Sequence, residues 1–207
     1  MASGKKMGGE VTPLLTAGWS KNLYEKDTKF AKTPEDAKYV GKFLLPKDGL
    51  ADLQAGVNGG KDLVPAAEWV ESLFQRHEDF GGKRDSAPIK DGDLITDKEG
   101  KPIAAYEGMW VITARTKKAP NLVDTQKNKL GDVQIFGGDL VKASLGPAEY
   151  EGFGGGMTLY LNAVMLIEKR GGDGLAAFGN EEGYVAEQVK SDDFGDDAKG
   201  EGKSSDY

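Results

Sequence analysis

Cationic side chains interleaved with aromatic ones are the most chemically suggestive pattern in this 207-residue chain. Lys21 lies between Trp19 and Tyr24, Lys38 and Lys42 flank Tyr39 and Phe43, and Arg115, Lys117 and Lys118 follow Trp110. Farther along, alternation points Lys142 and Tyr160 outward, and Tyr150 and Phe153 sit in the glycine-rich stretch EYEGFGGG, residues 149–156. A cation can hold a phosphate, and a flat ring can stack on any base, each stack contributing about 1–3 kcal/mol. The plainer use of the same residue types is structural. Strand parity assigns Phe43 and Trp110 to the core and leaves Trp19, Tyr24, Tyr150, Phe153 and Tyr160 as candidate stacking surfaces. Lys21, Lys38, Lys42, Arg115, Lys117, Lys118 and Lys142 are the candidate phosphate contacts.

Catalytic chemistry is harder to assemble. The chain has no cysteine and a single histidine, which excludes disulfides, thiolate zinc sites, cysteine nucleophiles and His-pair metal sites. His77 falls on the apolar stripe of an expected helix, where a structural role suits it better than that of a base. Residues 58–62, NGGKD, lack the upstream glycine and the Ser or Thr of a phosphate loop. The run beginning at Asp91 superficially resembles a calcium loop, but Thr96 stands where glycine is required and Pro102 where glutamate is required. Asp91, Asp93 and Asp97 could still hold Mg²⁺, so a metal-dependent nuclease or accessory remains a third reading. No cofactor is expected, and the chain is read as a non-enzyme.

The net charge of −7 is unevenly spread. Residues 1–47 carry +4 and residues 101–147 carry +3, separated by −6 over residues 48–100. A fold that joined the two positive blocks would build a basic surface on an acidic protein. Residues 148–190 and 191–207 each carry −4. The last stretch, SDDFGDDAKGEGKSSDY, contains Asp192, Asp193, Asp196, Asp197 and Asp206, with Phe194 inside it and Tyr207 at its end. So little apolar surface cannot offset the entropy of ordering, and a solvated, disordered tail is expected.

These residues need a scaffold, and the hydrophobic pattern supplies one. Thirty glycines, about twice the usual frequency, favour turns over long helices. A first strand is expected within residues 11–24, with Leu15, Ala17, Trp19 and Lys21 on one face. A second covers residues 36–47, with Tyr39, Phe43 and Leu45 opposed to Lys38, Val40, Lys42 and Leu44. Leu50, Leu53 and Val57 suggest a short helix stopped at Asn58-Gly59-Gly60. Another begins at Pro65 with Ala66, Trp69, Val70, Leu73, Phe74 and His77 as its stripe. Residues 86–106 read as loop. Residues 108–118 form the central strand, with Trp110, Ile112 and Ala114 inward. A hairpin-like piece at residues 121–131, a strand over residues 138–145 with Val141, Ala143 and Leu145 inward, and a last strand over residues 157–168 follow, the last with Met157 to Ile167 alternating inward. No run of about eighteen apolar residues occurs, so no membrane span is expected. The lysine-containing start, MASGKKMGGE, has no apolar core and reads as a flexible arm rather than a secretory signal. This order fits a mainly β protein: a five-stranded OB-fold barrel over residues 11–190, with a helical insertion at about 50–80 between early strands. An arm at 1–10 and the tail at 191–207 flank it. A β-sandwich is the alternative architecture, hosting a structural or interaction module that binds no DNA.

In this setting YVGKFLLPK (residues 39–47), IKDGD (89–93), YEGMW (106–110), NLVD (121–124) and YLNAV (160–164) occur in order before the acidic tail. That series resembles a family of bacteriophage single-stranded DNA-binding proteins over residues 36–207. The resemblance implies an OB-fold, sequence-independent binding of single-stranded DNA (ssDNA) and a role in phage replication or recombination, in the cytoplasm of the infected bacterium. It also implies a tail that docks replication or recombination proteins. Tails of single-strand binders often end in Phe, whereas this chain ends in Tyr207. A homo-oligomer, or cooperative assembly along DNA, is compatible with this reading. No DNA-contacting residue carries over from the family individually.

Overall fold

In the computed structural model, residues 9–170 are described, apart from residue 30 and the side chain of Phe153. The chain divides into a unit of residues 1–173 and a second of residues 174–207, and every described residue belongs to the first. The expected acidic tail and most of the N-terminal arm lie outside the described residues.

Among the described residues ten strands and one α-helix follow in chain order: β1 Glu10–Val11, β2 Leu15–Ala17, β3 Tyr39–Pro46, β4 Gln54–Val57, β5 Asp62–Pro65, α1 Ala66–Asp79, β6 Ile89–Asp91, β7 Met109–Thr116, β8 Asn121–Val123, β9 Leu140–Tyr150 and β10 Gly156–Glu168. Five of them close a ring. β2 pairs with β3, β3 with β7, β7 with β10, β10 with β9, and β9 returns to β2. The β7–β10 contact is parallel and the others are antiparallel. Counting these as barrel strands one to five gives the circular order 1-2-3-5-4-1, the OB-fold barrel with its helix between the second and third strands. Closure removes the sandwich alternative, because a sandwich needs two separate sheets.

The barrel is filled by alternate residues of each strand. Leu15 and Ala17, Phe43 and Leu45, Ile112 and Ala114, and Val141, Ala143 and Leu145 are all buried, in the expected parity. The helix also follows its stripe: Ala66, Trp69, Val70, Leu73, Phe74 and His77 are the buried residues of α1. Beneath it the Glu10 carboxylate accepts from Trp69 Nε1 at 2.7 Å and from Arg76 Nη1 at 2.6 Å. Removing one partner from such a buried pair costs about 3–5 kcal/mol, because the other charge is stranded. His77 is fully buried. Met157 N–H donates to its Nδ1 at 2.9 Å, which leaves Nε2–H to donate to Ser86 Oγ at 3.0 Å. The histidine is a strut between the helix and β10.

Four expectations are corrected. Residues 54–65 form the β4–β5 hairpin, preceded only by a 3₁₀ turn at Leu50–Asp52. The Asn58-Gly59-Gly60 signal serves the hairpin turn, all three at positive φ, and β4 is captured by β1 through Val11 and Gly56. Spacing over eight residues does not distinguish a helix from a strand when a sheet edge is there to pair with. Second, Trp19 and Lys21 do not continue the face of Leu15 and Ala17, since β2 ends at Ala17. Third, β6 lies inside the stretch read as loop and pairs with β7 through Ile89, Lys90 and Asp91. Fourth, β10 changes parity midway. A register shift between Leu161 and Ala163 puts Met157, Leu159 and Leu161 inward, and then Val164 and Leu166. An extra residue in one strand flips every later side chain to the other face.

Candidate nucleic-acid interface

β3 and β7 come from the two positive blocks of the sequence and pair through eight consecutive residues, Tyr39 with Thr116 to Pro46 with Met109. On their outward face Lys42 stands opposite Thr113, and Arg115 opposite Val40. Neither Lys42 nor Arg115 forms an ion pair with a described residue, so both charges are available to an external anion. Two concavities of about 650 and 760 Å³ meet at this pair, which lines both. The result is one groove with a cationic ridge across its middle.

The first concavity lies under the β2–β3 connection. Gly18 N–H donates to Lys42 O at 2.8 Å, which brings the next residue, Trp19, to the groove wall with 64% of its surface exposed. Lys29 and Lys38 line the same wall, as do the carboxylate residues Asp27 and Asp36. Lys117, just beyond β7, lies 3.6 Å from Asp36 and offsets part of that negative charge.

The second concavity lies between the outward side of β6–β7 and the segment leading into β7. Lys90, Leu94, Tyr106, Trp110 and Val111 line it, together with Arg84 and Asp85. The Lys47 ammonium ties this wall together. It bonds to the Asp91 carboxylate, reaches Asp93 at 2.6 Å, and lies 5.2 Å from the centre of the Trp110 ring. Asp93 also accepts from Gly108 N–H at 2.6 Å. The Lys47 hydrogen bond first, and then that N–H, hold the Asp93 carboxyl below the usual aspartate range, while Asp91 and Asp93 raise the Lys47 ammonium above its ordinary value. An ammonium therefore occupies the place between Asp91 and Asp93 that the metal reading required. Gly92 is required here by contact: a Cβ would come within 2.1 Å of Tyr106 O. Trp110 meets Phe74 edge-on at 5.5 Å, and the Arg84 guanidinium lies 3.9 Å from the Phe74 ring centre while bonding Glu71 through both amino groups.

Of the twelve sequence-derived DNA-site residues, Trp19, Lys38, Lys42 and Arg115 are brought together in the groove. Tyr160 pairs with Arg115 across the parallel β7–β10 contact and extends the outward face by one strand. Lys117 and Lys118 follow β7 at its end. Lys21 sits in a 3₁₀ turn, 3.5 Å from Glu25. The Tyr24 hydroxyl accepts from Ile135 N–H at 2.5 Å, and burial raises its pKa above the ordinary phenol value. Lys142 is on β9, separated from both β3 and β7 by an intervening strand, and Tyr150 ends β9 beside Gly156. The Phe153 side chain and the tail residues lie outside the described residues. Lys29, Lys90, Leu94 and Tyr106 line the groove without having been singled out from sequence. For Lys90 the signal was present but short: Ile89 in and Lys90 out over a three-residue strand.

The family model described as Enterobacter phage Enc34, ssDNA-binding protein, matches residues 20–195. The chain belongs to this family. Among solved structures it is similar to the C-terminally truncated single-stranded DNA-binding protein of bacteriophage Enc34, with 22% identity and a TM-score of 0.56 over 79% of this chain and 87% of that one. The Enc34 protein in complex with ssDNA is 24% identical, with a TM-score of 0.55 over 81% of this chain and 90% of that one. At these identities the structural likeness bears on the fold. Among curated proteins none matches the chain.

Proposed function

We propose that this protein binds ssDNA without regard to sequence along the β3–β7 groove, and coats it during phage DNA replication and recombination in the cytoplasm of the infected host. The observation that carries this reading is the ridge of Lys42 and Arg115, two cations that form no ion pair with a described residue, at the junction of two concavities. Phosphates passing over the ridge meet Lys38, Lys42 and Arg115, while bases find the exposed Trp19 ring on one side. Membership in the Enc34 family and the Enc34 protein's solution as an ssDNA complex support the reading. Fluorescence titration with oligo-dT at several salt concentrations tests it. Tight binding at low salt that weakens steeply as salt rises is expected; affinity indifferent to salt, or absent, contradicts it.

The acidic residues 191–207 are assigned two tasks: docking replication partners and competing with DNA for the ridge. Charge supports the second: the segment carries −4, opposite in sign to Lys42 and Arg115. A chain ending at Lys190 is expected to bind oligo-dT more tightly at low salt. Unchanged affinity would remove the competition and leave docking alone.

A further inference from the structure

We propose that the second concavity receives a single unpaired base turned out of the bound strand. This deepens the ssDNA reading and rests on it. Val111 points outward by parity, between Lys90 on β6 and Leu44 on β3, and is nevertheless almost completely buried. Its cover is the turn segment Gly92–Leu94 and Ala104–Tyr106, which packs against β7. Beside this cover the chain leaves a slot of about 760 Å³, with Val111 sealed at its base, Leu94 and Ile95 as apolar lining and Tyr106 and Trp110 as aromatic walls. That is the size and lining of a small-molecule site.

Charge within the slot fixes which part of a nucleotide enters. Of the charged residues that line it, Arg84 is held by Glu71 and Asp91 by Lys47, whereas Lys42, Lys90 and Arg115 form no ion pair with a described residue and are the cations that can hold phosphate. Lys42 and Arg115 stand at the junction with the first concavity. The backbone therefore stays on the ridge, and the uncharged, flat base turns inward. Leu94, 80% exposed at the rim, gives the base an apolar edge to slide past. The slot is built before any ligand arrives: Gly92 permits the close approach of the cover, and Lys47 ties Asp91 and Asp93 at its base. A base held there is unpaired by necessity, which disfavours duplex DNA at the same position.

The test is photo-crosslinking of the full chain to oligo-dT carrying 5-iodo-2′-deoxyuridine, with adducts located by mass spectrometry. Adducts on Tyr106 or Trp110, in addition to Trp19, are expected. Tyr106→Ala should lose its adduct and bind oligo-dT about tenfold more weakly. Leu94→Ala, at an exposed position that cannot unfold the barrel, should reduce the yield at Trp110 and Tyr106 while leaving that at Trp19. Normal oligo-dT binding with adducts confined to the Trp19 side overturns the slot alone. Absence of oligo-dT binding overturns the ssDNA reading with it.

Discussion

The two ends of the groove each present a tryptophan, and they hold it in opposite ways. Trp19 lies two residues beyond the end of a short strand, β2, on a connecting loop, and is largely exposed. Trp110 lies within β7, half-buried, between the Phe74 edge and the Lys47 ammonium. Fixing a side chain on binding costs about 0.5–1.5 kcal/mol. At the Trp19 end that cost falls at the moment of binding, and the ring can adapt to whatever base arrives. At the Trp110 end folding has already met it, and the ring is one wall of a fixed shape. A sequence-tolerant binder can use both: one adaptable contact, and one slot whose demand is only that a base be flat and unpaired.

The largest effect is expected at the ridge the two ends share. Lys42→Glu combined with Arg115→Glu should lower oligo-dT affinity by more than about 100-fold at low salt, read by titration, while circular dichroism stays native. Next, Trp19→Ala should weaken binding about tenfold and abolish most of the DNA-dependent tryptophan quenching, with an unchanged Tm. Quenching that survives in this variant would locate it at Trp110 instead. Lys47→Ala should act on the other end only, lowering Tm by a few degrees and affinity a few-fold, since Asp91 and Asp93 then face each other unscreened. The pH dependence of that difference follows from Asp93. Its folded pKa lies below the unfolded value, so the stabilisation is present above about pH 4 and is lost as pH falls through the lowered folded value. The Tm gap between wild type and Lys47→Ala should therefore narrow in acid melts. Lys142→Ala, on the strand remote from the groove, should change oligo-dT affinity least of all.

Much of this architecture was legible where strands keep strict alternation. The parity of residues 39–46 and 109–116 alone places Phe43 and Ile112 inside and Lys42 and Arg115 outside. The stripe of α1 was equally plain, because five apolar positions and His77 at helical spacing leave few other solutions. What failed to show was decided by partners distant in sequence. The bulge near Asn162 is invisible to a period-two reading, and only pairing with β9 reveals that Val164 rather than Ala163 points inward. The β4–β5 hairpin needs β1 beside it. Half of the candidate site shared this fate. Ridge residues stood on regular strands, whereas Leu94 and Tyr106 belong to turns whose position over β7 depends on Gly92 and on Lys47 reaching across from the end of β3. Lys142 and Lys42 looked alike as outward lysines of strands; ring closure, which no local pattern contains, put them on different sides of an intervening strand.

The central claim is that Lys42 and Arg115 form one phosphate-holding ridge. The salt dependence of oligo-dT affinity for the Lys42→Ala, Arg115→Ala double variant tests it most directly. Each lost contact to a single strand should flatten the plot of log affinity against log salt by about 0.7, so a decrease of about 1.4 is predicted. A slope equal to that of the wild type would contradict the account.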